Sequence, residues 1–244
     1  MMKKPYVFGH RGAMGYEIEN TIESFEKAVN MGAGIESDIQ LTKDGILVCL
    51  HDSSFKIGEK WYSIKNMTFE ELKNIKFQDG RKVPTLEEVF DKFKYKKDLR
   101  YSFDIGSRKV GLKVIEMAKK YNILDKIEIT DTNPKILFYL REHDKEVKLV
   151  HTVPFNIEKI NEKTVDFEKL KQFGIRTLNI RAERANPENF EMIVYNGFNC
   201  YVWDVNKKIR MKRVISLKCN GQIVDAIYTN YPDRVIQLIN EIIK

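Results

Sequence analysis

Apolar and polar positions alternate in nine short runs along the chain, and between them the apolar spacing lengthens to that of helices. The strand-like runs are Tyr6–His10, Gly34–Leu41, Ile46–Leu50, Arg100–Ile105, Lys126–Thr130, Lys148–Val153, Thr177–Ile180, Asn199–Val205 and Ala226–Thr229. Ile22, Phe25, Ala28 and Val29 trace one helical face, and Gly32 follows as a stop. Helix starts are written into the chain as well. Asn20 with Glu23, Thr68 with Glu71 and Thr85 with Glu88 fit a cap whose side chain is answered by a glutamate three residues on. Asn133-Pro134 and Asn186-Pro187 place a cap residue before a proline at the first helical position, where its missing N–H costs nothing.

No linker, repeat or low-complexity segment interrupts this alternation, which predicts a single α/β domain over residues 1–244. Setting Ile46–Leu50 aside leaves eight strands, the number that closes a TIM (β/α)8 barrel of about 250 residues. The ninth run has its own origin. Asp44-Gly45 lies between two alternating segments and predicts a hairpin. A turn centred on that pair would set Asp38 opposite His51.

Composition narrows the class. The chain is 43% hydrophobic and 32% charged, as in ordinary globular proteins, and no apolar run approaches the roughly 20 residues of a membrane span. Met1-Met2-Lys3-Lys4-Pro5 passes directly into Tyr6-Val7-Phe8-Gly9, without the apolar core of a signal peptide. A cytoplasmic protein without stable membrane association is expected, as monomer or homodimer. Cys49, Cys200 and Cys219 are widely spaced and form no C-x-x-C pair, so they read as reduced thiols, with Cys49 and Cys200 buried in apolar runs. The net charge of +7 comes from lysines dispersed among acidic residues. It suits attraction of small anions and not a nucleic-acid surface.

The chemistry is concentrated early. His10-Arg11-Gly12 and His51-Asp52 bracket Glu36-Ser37-Asp38. Alternation along a strand puts Glu36, Asp38 and Gln40 on one face and Ile35, Ile39 and Leu41 on the other, and the apolar set belongs against the helices. Both carboxylates therefore point into the barrel. The same parity in Tyr101-Ser102-Phe103-Asp104-Ile105 sends Asp104 inward. Three inward carboxylates at the ends of neighbouring strands suit a divalent metal ion, Mg²⁺ or Ca²⁺; pairing of Asp38 and Asp104 with Arg or Lys is the bland reading. His10 closes the first strand at the end where barrel active sites lie, and two histidines flanking a metal site can divide proton acceptance and donation. His143 reads as solvated, and His151 as a strand end able to line the mouth.

His10-Arg11-Gly12, Glu19-Asn20-Thr21, Glu36-x-Asp38, Thr42-x-Asp44-Gly45 and His51-Asp52 together resemble the signature of bacterial glycerophosphodiester phosphodiesterases. The likeness continues through Met67-Thr68-x-Glu70-Glu71-Leu72, Val83-Pro84-Thr85-Leu86-Glu87-Glu88, Trp203-x-Val205-Asn206 and Val224-Asp225-x-Ile227-x-Thr229, in the family's order. The resemblance implies a TIM barrel that hydrolyses a small-molecule glycerophosphodiester to glycerol 3-phosphate and an alcohol. It assigns His10 and His51 to acid/base catalysis, Glu36 and Asp38 to the metal with Asp104 as third ligand, and Arg11, Glu19 and Trp203 to the substrate. Residues 52–83 resemble the family's small insertion over the barrel mouth.

Four departures bear on substrate. The family usually carries Glu-x-Lys where this chain has Asp104-Ile105-Gly106, so a cation expected near the phosphate is missing; Arg108 or Arg181 are its candidate replacements. Asp204 stands in place of Thr, Ile18 in place of Pro, and Asn230 in place of Asp. A lysophospholipid or sugar phosphodiester substrate is one alternative, with Phe55, Trp61, Tyr62 and Phe69 of the insertion available to an acyl chain. A binding protein with impaired catalysis is the other.

Overall fold

The chain folds, in a computed structural model that describes residues 3–243, as alternating strands and helices. In order these are β1 (Tyr6–Gly9), α1 (Ile22–Asn30), β2 (Gly34–Leu41), β3 (Leu47–Cys49), β4 (Ser54–Ile57), β5 (Lys60–Ser63), α2 (Phe69–Lys73), α3 (Leu86–Phe93), β6 (Tyr101–Ile105), α4 (Arg108–Lys120), β7 (Ile127–Asp131) and α5 (Pro134–His143). There follow β8 (Lys148–Thr152), α6 (Phe167–Gln172), β9 (Thr177–Arg181), α7 (Pro187–Tyr195), β10 (Asn199–Trp203), α8 (Lys208–Ile215), β11 (Lys218–Cys219), β12 (Gln222–Ile223), β13 (Ala226–Thr229) and α9 (Pro232–Ile242).

β1 pairs in parallel with both β13 and β2, closing the order β1-β13-β10-β9-β8-β7-β6-β2 into an eight-stranded TIM barrel. Strand parity produces two apolar layers. Ile35, Ile39, Phe103, Ile105, Leu178 and Ile180 pack outward in the large core shared with the helices. Phe8, Val150, Tyr201, Ala226 and Tyr228 fill the interior, with Tyr6 and Trp203 against them. The strand ends have local causes. β8 stops at Thr152, two residues before Pro154, which has no N–H to give a ladder. β10 stops at Trp203 because Asp204 turns into the left-handed region (φ 62°).

Two expected details move by one residue. The cap of α1 is Thr21, whose Oγ1 accepts from Ser24 N–H, and not Asn20. Asn20 is itself left-handed (φ 54°), and its side chain is used elsewhere. The β2–β3 hairpin pairs Ile39 with Cys49, Gln40 with Val48 and Leu41 with Leu47, so Asp38 faces Leu50 and not His51. Leu50 N–H donates to Asp38 O at 3.0 Å. The reason is the turn. Thr42 N–H bonds Ile46 O, leaving the three-residue loop Lys43-Asp44-Gly45 with Gly45 at φ 86°. An odd loop shifts the register by one from a two-residue turn centred on Asp44-Gly45.

Between β3 and α3, residues 52–83 form the β4–β5 hairpin and α2 around a separate apolar cluster of Val48, Leu50, Ile64, Met67 and Leu72. Phe55, Tyr62 and Phe69 pack against that cluster, whereas Trp61 stands exposed. The segment leaves and rejoins the barrel at one point: Cys49 N–H donates to Pro84 O at 2.9 Å and Val48 bridges Thr85.

Candidate active site

Glu36 and Asp38 project from β2 toward the mouth, as their parity requires, and the turn after β1 is shaped to meet them. Arg11 adopts φ 51°, and its backbone N–H donates to Glu36 Oε2 at 2.7 Å. Gly12 continues the left-handed turn at φ 77° and passes so close to α1 that a Cβ would lie 2.3 Å from Ser24 Oγ. Only glycine fits there, which gives a steric reason for His-Arg-Gly. The Arg11 side chain ties three elements together. Its Nη1 donates to Glu19 Oε2 at 2.8 Å, and its Nε lies 3.1 Å from Asp38 Oδ2. Asn20 Nδ2 donates to the same Asp38 oxygen at 3.0 Å and is steadied in turn by Ser37 Oγ at 2.7 Å.

The carboxylates are more numerous than their partners. Asp104 is the register partner of Asp38 and makes no ion pair among the described residues. Burial, with Asp38 and Asp131 nearby, pushes Asp104 up to about 7. Burial, then the charge of Asp38, raises Glu36 well above the usual carboxylate range, with Arg11 pulling the other way. Burial alone would lower Arg11, but Asp38, Glu19 and Glu36 outweigh it and raise the guanidinium. So Asp38 does meet an arginine, and Asp104 does not.

His10 follows β1, its N–H bonded to Thr229 O at 2.9 Å. Its Nδ1 lies 2.9 Å from Asn230 Oδ1, a neutral acceptor that requires the Nδ1–H tautomer and leaves Nε2 with its lone pair. Burial, then the Arg11 charge, lowers His10. His51 is half-exposed beyond β3, with Gln40 Nε2 donating to its carbonyl at 3.1 Å and Asp52 Oδ1 2.8 Å from its Nδ1. His143 is exposed, as expected. His151 is buried, held near Asp131 O, and lowered to about 4 by that burial.

The opposite wall is built by β9 and β10. Arg181 and Trp203 are register partners at the strand ends, and the guanidinium lies 5.3 Å from the indole centroid. Arg181 Nε donates to Asp204 Oδ2 at 3.1 Å. Asn206 Nδ2 donates to Asp204 Oδ1 at 2.9 Å, and Asn206 Oδ1 accepts from Asn230 N–H at 2.8 Å. A continuous hydrogen-bonded path thus runs from Arg181 to His10. Arg108 stacks on Tyr139 instead. At Gly106 a Cβ would meet nothing within 4 Å, so the expected lysine is absent for no steric reason.

Sequence reasoning missed Asn20 as the hydrogen-bond donor to Asp38, Asn230 as the partner of His10, and Arg81, whose Nη1 lies 3.5 Å from Glu19 Oε1. The Glu19-Asn20-Thr21 motif did signal Asn20. Arg81 pairs across 62 residues and had no local signal.

The donor chemistry of Glu36, Asp38 and Asp104 fits a hard divalent ion: all three bear oxygens only, and two are raised by burial for want of positive charge. Among the described residues no three His, Cys, Asp or Glu side chains are already gathered into a metal-holding cluster. The set matches such an ion in kind, and is not a finished cage.

A closed (β/α)8 barrel with buried carboxylates, an arginine and a histidine at its mouth defines a class of barrel enzyme. Residues 10–232 match the model of the glycerophosphoryl diester phosphodiesterase family, and the chain belongs to that family of phosphoric diester hydrolases. A glycerophosphodiester phosphodiesterase of Caldanaerobacter subterraneus is 31% identical over 98% of this chain and 99% of its own length. One from Bacillus subtilis is 30% identical over 92% of this chain and 83% of its own. The fold is shared with an Oleispira antarctica phosphodiesterase solved with its product sn-glycerol-3-phosphate, at a TM-score of 0.81 and 19% identity over 97% of each chain. Among the described residues no helix is long and apolar enough to cross a membrane.

Proposed function

We propose that this chain hydrolyses glycerophosphodiesters to glycerol 3-phosphate and an alcohol, with a divalent ion, Mg²⁺ or Ca²⁺, held by Glu36, Asp38 and Asp104. The observation that carries the reading is the excess of buried carboxylates over cations beside His10 and Arg11. An ion bound there would polarise a phosphoryl oxygen and balance charge that develops in the transition state. Arg11, fixed by Glu19 and Asp38, presents the guanidinium that orients the phosphate.

His10 and His51 divide the proton traffic in this reading. Nδ1 of His10 is committed to Asn230, so Nε2 is the atom that accepts a proton from the attacking hydroxyl, either of water or of the substrate's own glycerol, whose attack would leave a cyclic phosphate for water to open to glycerol 3-phosphate. Asp52 Oδ1 lies 2.8 Å from His51 Nδ1 and can orient the ring, which in this reading hands a proton to the leaving alkoxide. Residues 52–83 cover one side of the mouth, joined to the site through Arg81 and Glu19. The enzyme so described is cytoplasmic.

The test is release of glycerol 3-phosphate from a panel of small glycerophosphodiesters, with Mg²⁺, Ca²⁺ or a chelator, alongside His10→Ala. Cation-dependent release that His10→Ala abolishes is the expected result. Release undiminished by the chelator would remove the metal from this account, and an active His10→Ala would remove the base.

A further inference from the structure

The wall of the mouth formed by β9 and β10 has no role in the chemistry just described, yet its charges are arranged with unusual care. Thr177, Asn179 and Arg181 alternate with Leu178 and Ile180, which face the helices, so Arg181 belongs to the inward set. Trp203 rests on the interior cluster of the barrel. Arg181 therefore lies over the barrel interior, stacked on the indole and gripped by Asp204 and by Glu183, the latter 3.0 Å from its Nε. Arg210 holds the same two carboxylates from behind, at 3.3 Å to Asp204 and 2.7 Å to Glu183. Asp204 has a left-handed backbone here (φ 62°), a conformation that few residues besides glycine, asparagine and aspartate adopt.

An aromatic face beside a carboxylate is the arrangement that receives a quaternary or primary ammonium group. Here that place is filled by the protein's own cation. Two guanidiniums stand against two carboxylates, and the wall is neutral; without Arg181 one carboxylate charge would be uncompensated beside an open indole. Among the described residues Arg181 Nη1 makes no hydrogen bond, so its outer edge still offers N–H donors to the mouth. We propose that Arg181 determines headgroup selectivity: by occupying the Trp203–Asp204 place it turns away cationic alcohols such as choline and ethanolamine, and its free edge favours neutral polyol or anionic headgroups. The inference rests on the phosphodiesterase reading above and names the class of diester that the site takes.

The experiment compares kcat/KM for glycerophosphoglycerol and glycerophosphocholine in the wild type, Arg181→Met and Arg181→Lys. Methionine, uncharged and flexible, can swing off the indole and leaves Asp204 and Glu183 with Arg210 alone, and an unchanged thermal midpoint shows that the fold is kept. The wild type is expected to favour the glycerol headgroup. Arg181→Met should shift the ratio toward choline by about tenfold, chiefly through a lower KM for the choline diester, the scale of a desolvated cation–aromatic contact. Arg181→Lys should keep the wild-type order. A wild type that prefers choline, or a ratio that moves less than twofold in Arg181→Met, would overturn the proposal. Calorimetric affinities for the same two diesters give this ratio without turnover. An absence of hydrolysis would thus count against the reaction, while the affinities still judge Arg181.

Discussion

At the N-terminal end of the barrel, Glu128 is 1% exposed and receives Arg100 Nε at 2.8 Å, whereas at the C-terminal end the Arg11 guanidinium pairs with Asp38, Glu36 receives only the Arg11 backbone N–H, and Asp104 makes no ion pair among the described residues. The lower charges are enclosed. Arg100 also donates to Tyr201 Oη at 2.7 Å and lies 4.4 Å from the Tyr6 ring centroid, and Ser102 bonds Tyr228 Oη at 2.9 Å beside them. The upper ones are left short of positive charge, which is why burial raises Glu36 and Asp104. Both ends put carboxylates into low-dielectric surroundings. Where the counter-charge is built in, the result is structure; where it is withheld, the reading proposed above gives the place to a cation from solution.

Substitutions can break this contrast or sharpen it. The largest effect belongs to the mouth: His10→Ala and His51→Ala should each lower kcat/KM by at least about 10²-fold, the scale of general acid–base catalysis, with unchanged thermal midpoints. Near-normal rates in either variant would defeat its assignment. At the other end, Glu128→Gln should leave the specific activity of the folded protein intact and lower its stability in urea by about 3 kcal/mol, because Arg100 loses its buried partner. A fall in activity without loss of stability would show that the two ends are not separable. Next in size is the response to metal. A divalent ion at a hundredfold its dissociation constant should stabilise the wild type by about 2.7 kcal/mol. Glu36→Gln and Asp104→Asn should lose that response and Glu128→Gln should keep it; an equal response in all four would place the ion elsewhere.

The smallest shift sharpens the view of His10. Burial and Arg11 hold its ring below the ordinary 6.5, and the amide of Asn230 adds no compensating charge. Asn230→Asp sets a carboxylate at Nδ1, which favours the protonated ring and raises its pKa. The neutral base is then lost at a higher pH as the solution is acidified. The acid limb of kcat/KM should move upward by about one pH unit; a limb that stays put would show that His10 is not the base.

Much of this is legible in the sequence. Alternation in Gly34–Leu41 and Tyr101–Ile105 was enough to send Glu36, Asp38 and Asp104 inward, because parity follows from the strand itself. The caps at Thr68, Thr85, Asn133 and Asn186 are equally local and were found where expected. What escaped depended on choices between neighbours or on distance. Asn20 and Thr21 are both competent caps, and the outcome turned on Asp38, a strand away, claiming the Asn20 amide. The hairpin register turned on one residue of loop length. The path from Arg181 through Asp204, Asn206 and Asn230 to His10 joins four elements far apart in sequence, and of its members Asp204 and Asn230 stand out in the sequence only as isolated departures from a motif.

The hydrogen bond between Cys49 N–H and Pro84 O makes the stretch between them a closed detour, with its entrance and exit at one spot on the barrel rim. Its apolar residues pack mostly on one another, and few of its bonds to the rest of the chain would need to be rebuilt if it were exchanged. The entropy of closing such a detour grows only slowly with its length. Evolution, or an engineer, can therefore lengthen, shorten or replace residues 52–83 as a cassette while the eight strands of the barrel keep their register.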